Sequence, residues 1–211
     1  MNRPLLALVA VPALSLVSFG SPTSAAPTPA QEGAEARPAH SPQPRPHGRR
    51  VSVDPGKVSV DDGDTVLIRW GDDAVETVRI LGIDTPETRH LPHSLPYAQP
   101  FGEEASAFAS GAFAAATEIE LLRASTLDPY GRTLGYFFLS GRNYSVLVVA
   151  ARLAYESVSH YGDNGFPEEA AAVLAAAKAA GPLAFEPPWE FRNRMRELSR
   201  WLKERGAYPE G

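Results

Sequence analysis

Thr65-Val66-Leu67-Ile68-Arg69-Trp70-Gly71-Asp72-Asp73-Ala74-Val75-Glu76-Thr77-Val78-Arg79-Ile80-Leu81 is the stretch that decides the fold. Two runs rich in β-branched and aromatic residues flank Gly71-Asp72-Asp73, a turn composition, and read as an antiparallel pair of strands. In the second run Val78 and Ile80 share one face, while Thr77, Arg79 and Leu81 share the other. Arg79 therefore projects away from Val78 and Ile80, where a strand arginine can line the mouth of a barrel. Upstream, Lys57-Val58-Ser59-Val60 reads as a further strand, set off by the turn residues Asp62-Gly63.

Working outward, residues 90–100 form a proline-dense loop, after which 102–116 reads as an alanine-rich helix whose acidic start suits the helix dipole. Phe108 and Phe113 on it are core residues. Strands return at 118–122 and 134–139, joined through Asp128-Pro129-Tyr130-Gly131-Arg132. Residues 144–151 and 167–180 follow as helices, the second closed by Gly181-Pro182. Five short strands with one helix inserted and two following predict an α+β protein, a β-barrel with helices of the five-stranded oligonucleotide/oligosaccharide-binding (OB-fold) type.

The ends differ from this middle. Arg3 precedes an apolar run from Leu5 to Val17, interrupted by Pro12 and followed by the small residues Ser24-Ala25-Ala26. The run is short for a membrane span of roughly 20 residues, so residues 1–25 read as a cleaved export signal, with cleavage as late as residue 30. The expected location is secreted, periplasmic or in the cell envelope, with no integral span after cleavage. Residues 26–50 are Pro, Ala, Gly, Glu and Arg with almost no large apolar side chain, a composition expected of a disordered tether. The globular domain is expected over 51–185. In the tail, 186–211, Phe191, Met195, Leu198 and Leu202 recur at helical spacing among arginines, which predicts a basic amphipathic extension helix. Docking on the domain is the plain reading of such a stripe; contact with a membrane or nucleic acid is the other.

The 211 residues contain no cysteine, which excludes disulfides, thiolate metal sites and a lipid-modified N-terminal cysteine. Formal net charge is −5, and within 51–185 nine Lys and Arg face eighteen Asp and Glu. No broad cationic footprint for a polyanion exists, so any grip on one must be local and salt-sensitive.

The candidate chemistry lies in short polar elements at strand ends. Asp62-Gly63-Asp64-Thr65 alone is a tight turn. Asp84-Thr85-Pro86-Glu87 alone is equally a helix start, with Asp84 or Thr85 as cap and proline in the first turn. Tyr130-Gly131-Arg132 alone is a turn glycine followed by a solvated arginine. Gathered on one barrel face, however, carboxylates and two arginines are what metal-assisted attack on a phosphodiester requires: oxygen ligands for a hard cation and guanidinium forks for phosphate oxygens. His90, His93 and His160 have no fixed ligand spacing and read as exposed loop residues rather than a zinc site.

In order and in most spacings, Asp62-Gly63-Asp64-Thr65, Arg79 with Asp84-Thr85-Pro86-Glu87, Glu104-Ala105-Ser106-Ala107-Phe108, and Asp128 with Tyr130-Gly131-Arg132 resemble the staphylococcal nuclease (thermonuclease) family. The resemblance implies a calcium-dependent endonuclease cutting DNA and RNA with little sequence preference and leaving 3′-phosphate ends. It assigns Asp64, Asp84 and the Thr85 carbonyl to Ca2+, Asp62 to a place just outside them, and Glu87 to the attacking water. Arg79 and Arg132 would hold the phosphate, and Tyr130 would meet the nucleotide's terminal phosphate. The chain departs from the family pattern at Pro129, where the family has a lysine, and at Val158-Ser159-His160-Tyr161, where only Tyr161 remains to stack on a base. The loop 91–100 is longer and lacks the family's lysines. The partners implied are DNA and RNA, with no protein partner and a monomeric chain. The alternative is a non-catalytic OB-fold module binding nucleic acid or another polyanion; retention of the carboxylates and both arginines favours the enzyme.

Overall fold

The strand pair read from the sequence forms as β3 (Thr65–Arg69) and β4 (Val75–Ile80), with Val66 opposite Val78 and Thr65 opposite Arg79. The structure, a computed structural model, describes residues 41–210. The expected export signal and the tether up to residue 40 lie outside the described residues. Around β3 and β4 the other strands are β1 (Arg50–Val53), β2 (Val58–Val60), β6 (Ile119–Leu127), β7 (Thr133–Leu139) and β8 (Arg142–Asn143). Their order is β1-β6-β7-β4-β3-β2, with β8 on β7. Only the β4–β7 pairing in this sheet is parallel among the described residues. The two end strands, β1 and β2, follow one another in the chain across the single turn Pro55–Lys57, so the first segment carries the sheet from one edge round to the other. The result is the curled sheet of an OB fold of the nuclease type.

Alternation along these strands fills the interior. Val53, Val66, Ile68, Val78, Ile80, Ile119, Leu121 and Phe137 are buried, each stabilising the fold by about 1.5–3 kcal/mol when fully removed from water. Helix α1 (Gly102–Ala114) lays Ala105, Ala109 and Phe113 on the sheet, with the Phe113 ring edge-on to Phe137 at 5.0 Å. Helices α2 (Tyr144–Ala150) and α4 (Pro167–Ala180) bury Tyr144, Val148 and Val149, and Ala170 and Val173, respectively. A small second sheet pairs β5 (Ile83–Asp84) with β9 (Tyr155–Glu156), placing Asp84 opposite Tyr155.

Several elements differ from expectation. β1 has no counterpart among the strands expected from the sequence, because Val51-Ser52-Val53 is too short to announce itself. The end of the tether is not free of the barrel: Gln43 N–H donates to the Ser125 carbonyl at 2.9 Å, its side chain donates to Thr133 Oγ1 at 3.1 Å, and Gly48 N–H donates to the Arg123 carbonyl. A proline-rich strip can add to a sheet edge through backbone groups without any apolar side chain. An extra single helical turn, α3 (Val158–Tyr161), precedes α4. The helix start at Asp84-Thr85 does not form, since Asp84 ends β5 and residues 85–89 have no regular secondary structure.

The tail forms α5 (Pro188–Glu204). Its apolar stripe builds a second, small cluster, Phe191 and Met195 with Leu95, flanked by Leu198 and separate from the barrel core. Trp189 packs edge-on to Tyr155 at 5.6 Å, and polar ties add to this: Ser199 Oγ donates to the Ser94 carbonyl and Tyr208 to the Leu91 carbonyl, at 2.8 and 2.9 Å.

Candidate active site

Three segments meet where β3 begins and β4 ends. The Asp62-Gly63-Asp64 turn is fixed from below by Tyr144, wholly buried, whose hydroxyl donates to the Gly63 carbonyl at 2.7 Å. Gly63 is required by contact: a Cβ there would lie 2.7 Å from Thr85 Oγ1, so the turn and the Thr85 side chain press against each other. Ile80 N–H donates to the Asp64 carbonyl at 2.8 Å, which holds the turn against the end of β4. Asp62 Oδ1 accepts from the Asp64 N–H at 2.9 Å and braces the turn from outside.

On this frame the carboxylates converge. Asp64 Oδ2 accepts from the Thr85 N–H and Oγ1 at 2.9 and 3.0 Å, and Asp64 Oδ1 forms an ion pair with Arg79 Nη1. Arg79 Nη2 donates to Asp84 Oδ1 at 2.9 Å and to the Ile83 carbonyl at 3.3 Å. One guanidinium thus bridges both aspartates, which are buried. Glu87 is placed by Gln99, whose N–H donates to the Glu87 carbonyl at 2.8 Å and whose side-chain oxygen accepts from the Glu87 N–H at 3.2 Å. At Gly102, the first residue of α1, a Cβ would collide with the Glu87 carbonyl, so the helix start is cut to fit that backbone. Burial pushes the Glu87 carboxyl above the ordinary carboxylate value against the pull of Arg192; burial likewise pushes Asp62 up against the pull of Arg79.

Arg192, on α5, reaches this group. Its Nη2 donates to Asp84 Oδ2 at 2.8 Å, and its Nη1 donates to Asp84 Oδ1 at 3.0 Å and to Glu87 Oε1 at 2.5 Å. Sequence reading placed the tail arginines off the apolar stripe. The signal available was that Arg192 lies beside Phe191 and three residues before Met195, on the flank of the packed face.

Of the nine residues singled out from sequence, Asp62, Asp64, Arg79, Asp84, Thr85 and Glu87 are brought together. Arg132 is not part of the carboxylate group. It sits in the turn between β6 and β7, where its Nε donates to Asp128 Oδ2 at 2.7 Å while Asp128 Oδ1 accepts from the Tyr130 and Arg132 N–H groups. It remains near enough to Asp62 to favour that carboxylate's charge. Tyr130 is 86 % exposed at the tip of that turn. Tyr161 is exposed at the end of α3, its ring at an edge to His160, which itself lies parallel to Trp189 of α5. Gln99 and Tyr144 were missed, because each acts by holding another residue and carries no motif of its own; Asp128 was quoted in its motif but given no role.

Among the described residues no group of three His, Cys, Asp or Glu side chains is arranged to cage a metal ion. The donor chemistry still fits a hard cation. Asp64 and Asp84 offer carboxylate oxygens that already share a cationic neighbour in Arg79, with no sulfur or imidazole among them, a set that suits calcium better than zinc.

The sequence profile of the family described as Staphylococcal nuclease homologue matches residues 77–181. Similar proteins include the SPbeta prophage-derived endonuclease YokF of Bacillus subtilis (strain 168), 36% identical over 102 residues, 44% of this chain and 32% of that protein. The thermonuclease of Staphylococcus intermedius is 38% identical over 95 residues, 44% of this chain and 53% of its own, and endonuclease YncB of B. subtilis is 34% identical over 102 residues, 44% of each. The chain belongs to the staphylococcal nuclease homologue family. The match spans 32–53% of the length of these relatives. It also begins after Asp64 and ends before α5, so Arg192 lies outside the family's part of the chain.

Proposed function

We propose that the protein is a calcium-dependent endonuclease that hydrolyses phosphodiester bonds of DNA and RNA with little sequence preference and leaves 3′-phosphate ends. The observation that carries this reading is the convergence of Asp64 and Asp84 on Arg79, with Glu87 joined to Asp84 through Arg192, carboxylates gathered from the start of β3 and from the segment that begins at β5. Asp64, Asp84 and the Thr85 carbonyl would hold the cation, which when bound offsets the negative charge of the phosphate and of the developing transition state.

The chain's own residues supply the remainder. Glu87 takes a proton from the attacking water, whose oxygen bonds to phosphorus as the bond to the 5′-oxygen breaks. That oxygen leaves as a hydroxyl after gaining a proton, and the phosphate stays on the 3′ side. Arg79 donates to the phosphoryl oxygens from its place between the two aspartates, and Arg132, paired with Asp128, approaches from the β6–β7 turn. Tyr130 and Tyr161 are the rim residues for the nucleotide. Few cationic groups flank the site, so binding is expected to be weak and to weaken further with salt.

Export belongs to the same reading, motivated by the apolar run and small residues before residue 30. No helix among the described residues is long and apolar enough to cross a membrane. The test is incubation of the full chain with single- and double-stranded DNA and with RNA, with calcium or chelator, followed by analysis of product ends. Cleavage with calcium, none with chelator, and 3′-phosphate ends are expected. Intact polymer at high protein concentration with calcium overturns the reading, and retention of polymer without cleavage assigns the non-catalytic binding module instead.

A further inference from the structure

Helix α5 brings a cation to carboxylates that the nuclease reading reserves for another one. Asp84 Oδ1 already accepts two hydrogen bonds, from Arg79 and Arg192, and Oδ2 accepts one from Arg192. Glu87 Oε1 is taken by the same Arg192 Nη1. A hard cation bound by a carboxylate sits about 2.3–2.6 Å from its oxygen, so a guanidinium hydrogen-bonded to both oxygens of Asp84 stands in its way by charge and by lone-pair count.

The way α5 is attached fits a helix that can leave. Its apolar contacts are a small cluster of Leu95, Phe191 and Met195, flanked by Leu198 and apart from the main core, and Trp189 against the Tyr155 and His160 rings at the helix's first turn. Much of what else holds it is polar: Arg192 on Asp84 and Glu87, Ser199 on Ser94, and Gln99 Nε2 on the Glu186 carbonyl. Asp84 is 2 % exposed while α5 is docked, so no phosphate of a polymer can reach it in this arrangement.

We propose that Arg192 is a built-in counter-cation that competes with a divalent ion for Asp84 and Glu87, so that docking of α5 and binding of the ion exclude one another. The inference rests on the nuclease reading and adds to it the residue that sets how much cation the site demands. At low cation the protein is closed by its own helix; at high cation the helix is displaced and the carboxylates are released together.

The test uses the full chain and calcium alone. Calcium affinity is measured by titration calorimetry for the natural protein, for Arg192→Ala, and for Met195→Asp, which detaches α5 without altering any carboxylate of the site. Hydrogen exchange across Pro188–Glu204 is followed with and without calcium. Both variants are expected to bind calcium at least about tenfold more tightly, a difference of about 1.4 kcal/mol. In the natural protein calcium should speed exchange across α5; in Arg192→Ala exchange should be fast from the start. Equal or weaker calcium binding by the variants, or unchanged protection of α5 with calcium bound, overturns the proposal and leaves the nuclease reading standing. Absence of calcium binding in all three chains overturns the cation reading of the site, and the proposal with it.

Discussion

Two buried carboxylates in this barrel are gripped by arginine forks, and they differ in every other respect. Glu76 on β4 accepts from Arg123 Nε and Nη2 at 2.8 and 2.9 Å, from Trp70 Nε1 at 2.7 Å and from Thr133 Oγ1 at 2.7 Å. Arg123 spends its third nitrogen on the Pro46 carbonyl. The carboxylate's oxygens are fully used, and its partners come from β6 and β7, from Trp70 just past β3 and from Arg45, whose Nε lies 3.5 Å from Glu76 Oε2. Around Asp84, by contrast, Asp64, Glu87 and the nearby Asp62 outnumber Arg79 and Arg192, and one of the two cations arrives on a helix outside the family's part of the chain. A balanced pair between strands holds a fold together; a surplus of carboxylates sharing cations from two elements is the charge pattern of a functional site.

The sharpest way to break this contrast is to remove one cation from each group. Arg123→Ala strands a buried carboxylate and is expected to cost about 3–5 kcal/mol in urea denaturation, while a paired Glu76→Leu, Arg123→Met change recovers most of it. Arg192→Ala should cost far less than Arg123→Ala, because it leaves carboxylates beside Arg79 and opens them to water. Equal losses would erase the distinction.

Chemistry gives the next effect. Glu87→Gln keeps size and backbone contacts but cannot take a proton, so turnover should fall by about 10²–10⁴-fold with thermal stability nearly unchanged. A mild fall would remove Glu87 from the role of base.

Acid separates the two groups by sign. Burial pushes Glu76 up, but the hydrogen bonds of Arg123, Thr133 and Trp70 outweigh it and hold the carboxyl below its ordinary value of 4.5. The folded state therefore binds this proton less readily than the unfolded state. Its contribution is complete above the unfolded value and is lost as pH falls through the folded one. In Arg123→Ala the hydrogen bonds of Thr133 and Trp70 remain but the largest opposition to burial is gone, so the folded value rises and the penalty of the mutation should shrink as pH falls. Denaturation curves at several pH values for the two chains check this.

Gln99→Leu should give the smallest change. It frees the Glu87 N–H from its side-chain acceptor, lowering kcat by about 10-fold through misplacement while leaving KM largely unaffected, since the buried Gln99 side chain is committed to the Glu87 N–H and the Glu186 carbonyl. An equal rise in KM would assign Gln99 to substrate binding instead.

Much of this molecule was legible in its sequence where local chemistry and tertiary structure agree. The alternation in β3 and β4, the Asp-Gly turns and the alanine-rich α1 each carry their own signal. So do Asp64, Arg79, Asp84, Thr85 and Glu87, because the motif that names them also folds them together. What escaped is held by tertiary contact. Gln43 and its proline-rich neighbours join the sheet edge through backbone groups that composition does not reveal. Buried Glu76 looks like an exposed strand residue until Arg123 is placed beside it. Arg192 looks like one more charge on a basic helix, and only the docking of Phe191 and Met195 turns it toward Asp84. Arg132 shows the converse: its place near the site was legible, but its present partner, Asp128, was not read as one.

The central claim is that the Asp84 group is a cation-dependent hydrolytic site. Its most direct test is cleavage of an end-labelled oligonucleotide by the natural chain and by Asp84→Asn, with calcium titrated and folding confirmed by circular dichroism. The natural chain should cleave as calcium rises and stop when it is chelated, and folded Asp84→Asn should not cleave at any calcium concentration. Cleavage by Asp84→Asn at the natural rate, or cleavage by the natural chain in chelator, would contradict the account.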